Sequence, residues 1–518
     1  MAKPLLAASI VAPAFYGLNT QESGVTLQEG YALHADNCVI DKQGRLSARK
    51  GWAYQTLSVD TVVDANVDID LLGMSDFKDI AGVDTRLSWS SNKFYKGTTD
   101  LTTITPTTTD TLEDGNWQAA TLNDHHYLYQ RGYIPLIYSN ETGSEVFESY
   151  ATHAHATTGY QSANTVLAAY GRLWTADTVT NKTTVWFTNV LEGGNFASGT
   201  AGSLDISSVL TQGMDEIVAL GAHNGFLIIF CKDNIIIYSD GDNYQLGMTT
   251  ASLTLVEVIQ GVGCIARDSV QNTGEDILFL SNTGVRSLNR TVQEKSQPMR
   301  DISKNVRDDM MIAIESGIPE NIKSVYSPHL AFYLLSFPAS RQTFVFDTRQ
   351  PLQDGSYRVT VWPALTPEAF LSSGQSLFFA QPNGIAEYRG YQDNGIQYQM
   401  SYYSNFFDLD LPNVNKIVKR LTATTVGATG QDFALKIGYD YSPIYYSHAF
   451  TLESGFIYEY GVSEYNLAEY AGSVLINDQQ AAASGAGNIL QVGFTAEING
   501  GALSLQKLSI YAKQGKVI

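Results

Sequence analysis

The chain has 518 residues, a formal charge of −20, 44% hydrophobic residues, 30 Tyr, 22 Phe and 44 Gly. That length exceeds one ordinary core, so two or three domains are expected, and the aromatic content excludes a disordered chain. The acidic balance, with no run of Lys or Arg, excludes a protein that grips nucleic acid by neutralising phosphates; an acidic wall along which DNA slides, or plain solubility, both remain compatible with it.

At the start, Lys3 precedes the apolar Leu5 to Ala12, but Pro4 and Pro13 bracket that run, which makes a poor secretion signal. No apolar stretch is long enough to cross a membrane, so no membrane insertion is expected. Gly44 supplies the positive φ of a tight turn between Cys38 to Asp41 and Arg45 to Ala48. Arg45 and Arg49 then project from one strand face, to meet acidic neighbours, a partner chain or solvent.

Asp60 to Asp70 is acidic and alternates with Val and Ile. It lacks the glycine and terminal glutamate of a calcium loop and reads as an edge strand guarded by charge. Thr99 to Thr111 reads as a polar connection. His125 with His126 and His153 with His155 hold half of the eight histidines, yet no third ligand has a metal-site spacing. No Ser lies in a nucleophile elbow, so neither a catalytic nor a metal site is expected and no cofactor is implied. Cys38, Cys231 and Cys264 have no paired spacing; Cys231 and Cys264 read as buried free thiols.

The central region repeats itself. Phe226 to Phe230 and Ile235 to Tyr238 flank a polar tetrad, and Ile277 to Leu280 and Val285 to Leu288 flank Ser281 to Gly284. Similar hairpins lie at Arg86 to Lys96, Tyr127 to Tyr138, Arg172 to Thr188, Ala331 to Asp347 and Leu377 to Arg389. Their spacing of roughly 40 to 55 residues suits four-stranded propeller blades and is too irregular for a solenoid. Unrelated hairpins in one or two sandwiches are the alternative.

Ile302, Val306, Met310 and Ile314 recur every four residues, which predicts a helix over Asp301 to Ile314 that Gly317 and Pro319 stop. It packs across a propeller rim or forms an interface. From about Tyr398, strands with one wet face are expected at Leu421 to Val426, Phe433 to Tyr439, Phe450 to Leu452, Ile489 to Ile498 and Leu503 to Tyr511. Gln479 to Gly487 reads as a mobile loop, and the tyrosines of Tyr439 to Tyr470 suit an interface or a core rim.

The fold class is thus all-β: a degenerate β-propeller of six or seven blades plus a C-terminal antiparallel β-sandwich platform. The expected division is an N-terminal arm and hairpin over 1–52, the propeller over 53–397 and the sandwich over 398–518.

The most specific text is Phe15, Gly17, Asn37, Gly44, Arg45, Arg49 and Gly51, with Gly171 to Trp174, Val185 to Phe187, Gly194 to Phe196 and Gln260 to Gly263 further on. In these motifs the chain resembles the nozzle proteins of short-tailed bacteriophages, the group of head-to-tail stabilisation proteins and tail tubular protein B. It departs from them in having Tyr16 where a second small residue is common. The resemblance implies a structural virion protein of the tail, a homo-oligomer of six copies in a ring that retains packaged DNA and conducts it during ejection. Its implied partners are a head-tail adaptor or portal-side protein, tail fibre, spike or needle proteins, and double-stranded DNA in transient, non-specific passage. The motif residues are then possible inter-subunit contacts. A secreted propeller that binds carbohydrate, or a glycosidase with paired carboxylates in its funnel, is the alternative.

Overall fold

A hairpin has two apolar faces and can cover both only by stacking on its neighbours. The computed structural model describes residues 5–55, 58–59, 70–98, 100–140, 144–154, 159–210, 215–239, 253–288, 301–363, 365–382, 384–427, 430–452 and 475–517. Within them, six small sheets and four strands of a ten-stranded sheet form the blades of a β-propeller. Blade 1 comprises Gly73–Lys78, Asp84–Trp89, Phe94–Lys96 and Asp100–Ile104, with Ser58–Val59 added in parallel. Blade 2 comprises Gln118–Leu122, His125–Tyr129, Leu136–Ser139 and Val146–Ser149; blade 3 comprises Ala163–Ala169, Arg172–Thr178, Thr184–Phe187 and Gly202–Asp205. Blade 4 comprises Ile217–His223, Phe226–Cys231, Asn234–Ser239 and Thr254–Gln260. Blade 5 has only three strands, Gln271–Asn272, Ile277–Ser281 and Gly284–Ser287. Blade 6 comprises Lys323–Ser327, Phe332–Phe337, Gln342–Asp347 and Arg358–Pro363; blade 7 comprises Phe370–Ser373, Ser376–Gln381 and Gly384–Tyr388. Six blades therefore have four strands or more, because Trp52–Tyr54 returns to complete blade 7. The first strand of blade 7 also touches the first strand of blade 1, which closes the ring.

The first hairpins of blades 2, 3 and 4 share one turn. Asn123 with Asp124, Tyr170 with Gly171, and Asn224 with Gly225 all have positive φ, between 46° and 81°. Two such residues in succession match the twist of the flanking strands, so asparagine and glycine are favoured there. The apolar strands then pack blade on blade. Trp174, Val185, Leu227 and Ile236 fill the space between blades 3 and 4, and Ile228, Phe230, Ile277 and Phe279 that between blades 4 and 5.

The sandwich has two sheets. One contains Leu475–Ala482, Val414–Gly427, Leu503–Val517, Leu46–Ala48 and Cys38–Ile40, with Leu5–Val11 paired to Leu503–Val517 and Ala486–Gly487 to Val414–Gly427. The other continues blade 6: Arg358–Pro363 is followed by Tyr31–Asp36, Tyr398–Phe407, Leu490–Ile498, Asp432–Tyr439 and Tyr445–Thr451. One sheet therefore runs unbroken from blade 6 of the propeller into the sandwich. One buried core follows the same path, taking Leu421 and Ile510 from one sheet, Tyr402, Leu435 and Phe494 from the other, and Tyr333 and Phe346 from blade 6.

Three local expectations change. The helix runs over Arg307–Glu315 after a 3-10 turn at Lys304–Val306. The expected first turn is held elsewhere: Asp301 pairs with Arg286 at 2.9 Å and Ser303 Oγ accepts the Val285 N–H at 2.9 Å. Gln479 to Gly487 is mostly strand, because its backbone pairs with Lys416 to Ala423. Thr99 to Thr111 contains the strand Asp100–Ile104. Residues 60–69 of the acidic stretch, His155 and the tyrosine-rich segment from 453 onward lie outside the described residues.

Candidate functional site: the junction and the propeller axis

Three of the motif residues near the N-terminus, Asn37, Arg49 and Gly51, meet at the joint between propeller and sandwich. Arg49 follows the strand Leu46–Ala48, where the chain turns from the sandwich toward blade 7. Its Nη1 and Nη2 donate to Asp393 Oδ1 and Oδ2 at 2.8 and 2.6 Å, and its Nε donates to Asn37 Oδ1 at 2.9 Å. The guanidinium carbon lies 4.0 Å from the centroid of the Tyr398 ring. Only 2% of the residue is exposed. Burial alone would lower the pKa of this guanidinium, but the Asp393 pairing outweighs it and the net direction is upward. The Tyr398 hydroxyl donates to the Arg49 carbonyl, and the Lys50 N–H donates to Tyr388 Oη at 2.9 Å. One cation thus ties the first hairpin, blade 7 and the sandwich together.

Asn37 and Gly51 belong to that joint, while Gly44 and Arg45 shape the first hairpin, Phe15 sits in the shared core and Gly17 lies beside Tyr31. Asn37 has φ 53° and donates from Nδ2 to the Gln399 carbonyl at 2.8 Å. A side chain on Gly51 would place its Cβ 2.0 Å from the Gln392 carbonyl oxygen, so only glycine lets these two backbones meet. Gly44 has the positive φ its turn requires, 73°. Arg45 Nε meets Asp41 Oδ2 at 2.7 Å and closes the same hairpin. Phe15 is fully buried edge-on to Tyr402, and Gly17 pairs with Tyr31 in a short parallel bridge. Of the sequence readings of Arg45 and Arg49, pairing with acidic neighbours is the one realised. The solvated face is corrected, since both side chains are buried against these neighbours.

A second constellation closes the propeller axis. Arg267 and Asp268 precede blade 5; Asn116 leads into blade 2, Asn164 begins blade 3 and Lys323 begins blade 6. Arg267 Nη1 donates to the Asn164 carbonyl and Oδ1 at 2.7 and 2.9 Å, and Nη2 to Asn116 Oδ1 at 2.9 Å. Its Nε donates to Asp268 Oδ1 at 2.8 Å. Lys323 Nζ reaches Asn116 Oδ1 at 2.9 Å and also pairs with Asp268. Asn164 passes the network on to Asp177, which is paired with Arg131 and Lys182. Blades 2 and 3 are not neighbours of blades 5 and 6 in the ring, so bonds between them cross its centre. The axis is filled there by the protein's own side chains.

This network is electrostatically saturated. Burial pushes the Asp268 carboxyl up, but Arg267 and Lys323 together hold it well below the usual carboxylate range. Such a carboxylate is fixed as an anion and is poorly suited to exchange a proton near neutrality. The histidines are structural in geometry: His126 Nδ1 lies 2.8 Å from Thr121 Oγ1, and burial lowers the pKa of His126 to about 4. The rings of His125 and His153 meet edge to face, 5.5 Å between centroids. Among the described residues no three potential ligands gather into a metal site.

Sequence reading missed the axial residues. They come from four places spread over some two hundred positions, without a spacing rule to join them. The one local signal is the charged pair Arg267 and Asp268 set directly after the apolar Cys264 to Ala266.

No protein-family profile matches this sequence, and no curated protein matches it. Similar solved structures include PorZ of Porphyromonas gingivalis, described as an essential bacterial surface component of the type-IX secretion system, with a TM-score of 0.33 and 10% identity over 66% of this chain. The match spans 37% of PorZ's own length. Kluyveromyces lactis Hsv2 gives a TM-score of 0.31 and 9% identity over 57% of this chain and 98% of that one.

Proposed function

We propose that this chain is a structural subunit of the tail nozzle of a short-tailed bacteriophage, one of about six copies in a ring that extends the head-tail channel. The observation that carries this reading is the buried joint at Arg49, which the motif residues Asn37 and Gly51 share. A joint of this kind makes propeller and sandwich one stiff element, which a ring under the pressure of packaged DNA requires. The filled axis adds to it: DNA has no path through a propeller, so the conduit lies between copies. The charge of −20 suits a wall that does not adhere to phosphate.

The chain would stand on a head-tail adaptor or portal-side protein and carry fibre, spike or needle proteins at its far end. Electron microscopy of purified particles labelled with an antibody against this chain tests the reading. Label at the tail, below the portal vertex, is the expected result; particles that never carry label overturn it. In an assembled map the lumen is expected to be predominantly acidic, and a lumen lined mainly by Lys and Arg would remove the proposed role of the charge.

A further inference from the structure

The outward face of the first sandwich sheet is unusual for so acidic a chain. Alternation decides which residues it shows: Ala8, Ile10, Leu508, Ile510 and Ala512 point into the core, so their odd-numbered neighbours point out. The strand register then sets Leu5 beside Lys513 and Ile417, and Val11 beside Lys507 and Thr424. Arg420 lies between these rows with its guanidinium 4.3 Å from the Tyr511 ring centroid. Leu5, Val11 and Ile417 are exposed, at 53%, 41% and 36%. Among the described residues, neither Lys507 nor Lys513 has an acidic partner, and Asp478 at the sheet edge is held by Thr424. This is a flat face that is both apolar and cationic.

The helix Arg307–Glu315 presents the opposite character. Ile312 is 64% exposed and Ile318, one turn beyond the helix, is 60% exposed. Helical spacing surrounds Ile312 with Asp308 and Asp309 on one side and Glu315 on the other, and Glu320 follows near Ile318. Met310 and Ala313 anchor the far side of the helix in the core, so the acidic and apolar side faces outward.

We propose that these two surfaces are the two halves of one contact between copies of this chain: the cationic sheet face of one copy covers the acidic helix of the next. Each patch sets apolar side chains among charges mainly of one sign, Asp478 being the exception on the sheet, and the prevailing signs are opposite. A contact between two different patches is heterologous, and repeated with rotation it makes a ring. The occupant is a second copy because the complementary patch is on the same chain. Ionic steering makes the association stronger at low salt, while the leucine, valine and isoleucine side chains supply buried apolar area. The inference rests on the ring reading above and names the surfaces that would build it.

The test uses the full chain in solution, with mass measured by light scattering and native mass spectrometry at low and high salt. Wild type is expected to self-associate at low salt. Lys507→Glu with Lys513→Glu, and separately Asp308→Lys with Glu315→Lys, are expected to weaken association by at least about 100-fold, since like charges then oppose each other. All four positions lie at the surface or its edge, so each variant keeps the wild-type circular dichroism and melting midpoint. Mixing the two variants is the decisive arm. In the mixture both contacts again join opposite signs, intact helix to intact sheet and reversed sheet to reversed helix, so mixing is expected to restore assembly that neither variant shows alone. A wild type that stays monomeric, a variant that assembles like wild type, or a mixture that stays monomeric would each overturn the proposal. If wild type assembles but the variants do too, the interface fails while the nozzle reading stands; if labelled virions lack the chain, the nozzle reading fails whatever the solution assay gives.

Discussion

Blades 1 to 4 and the sandwich are both made of antiparallel strands, yet they hold together differently. Each interface between neighbouring blades has a small core of its own, such as Trp174, Val185 and Ile236 between blades 3 and 4 or Trp89, Phe94 and Leu128 between blades 1 and 2. The sandwich shares one core with blade 6 and with Leu278 and Leu280 of blade 5. The propeller is therefore a ring of nearly independent contacts locked at its centre by polar side chains, whereas the sandwich side is one continuous apolar mass. Damage should spread through the second and stay local in the first.

The strongest way to break that contrast is Phe494→Ala. Phe494 is fully buried, and truncation is expected to cost about 3 to 5 kcal/mol. Hydrogen exchange should show protection falling in Leu490–Ile498 and in blade 6 strand Phe332–Phe337 together; loss confined to the sandwich would mean the shared core does not act as one unit. Next is Arg267→Ala, which strips the axial network and leaves Asp268 and Asn164 short of partners, at about 3 kcal/mol. Its thermal shift should be matched by faster exchange in blades 2, 3, 5 and 6 and little change in the sandwich.

Acid tests the propeller alone. His126 titrates near 6.5 when unfolded and near 4 when folded, so only the unfolded chain gains this proton in between. Stability is intact above about pH 6.5 and falls as pH drops toward about 4, by up to roughly 3 kcal/mol from this group. His126→Gln should flatten that window in a series of denaturant melts. The smallest effect is Ile236→Val, a buried methylene between blades 3 and 4, at about 1 kcal/mol and with exchange altered only in those two blades.

The same contrast governs what the sequence disclosed. Blade hairpins are local, so apolar runs separated by turn residues expose them: Phe226–Cys231 with Asn234–Ser239, and Ile277–Ser281 with Gly284–Ser287, lie within a residue or two of the expected runs. The sandwich strands after Tyr398 were legible from their alternation, although Leu503–Val517 runs six residues past the expected end. What escaped are pairings between distant parts of the chain. Nothing in Trp52, Ala53 and Tyr54 announces that they finish a blade begun at Phe370, and Tyr31–Asp36 gives no sign that it bridges two domains. The site followed the same rule. Arg49 and Asn37 were visible as motif residues, but their partner Asp393 is 344 positions from Arg49 and has no pattern to mark it. The axial residues were invisible because a network of amides and charges has no period.

The pairing of Leu5–Val11 with Lys507 to Lys513 also sets a clock. On a ribosome adding about 5 to 20 residues per second, the first of these strands waits roughly 25 to 100 s for the second. Trp52–Tyr54 waits in the same way for Gly384–Tyr388. Over that interval blades 1 to 4, whose contacts lie close in sequence, can form in order of synthesis, while the apolar strand at the front stays open to any passing edge. Leu503–Val517, made long after Leu5–Val11, is the strand that covers it. A nascent chain stalled before residue 507 would thus carry finished blades and an unprotected front end, the species on which a chaperone would act.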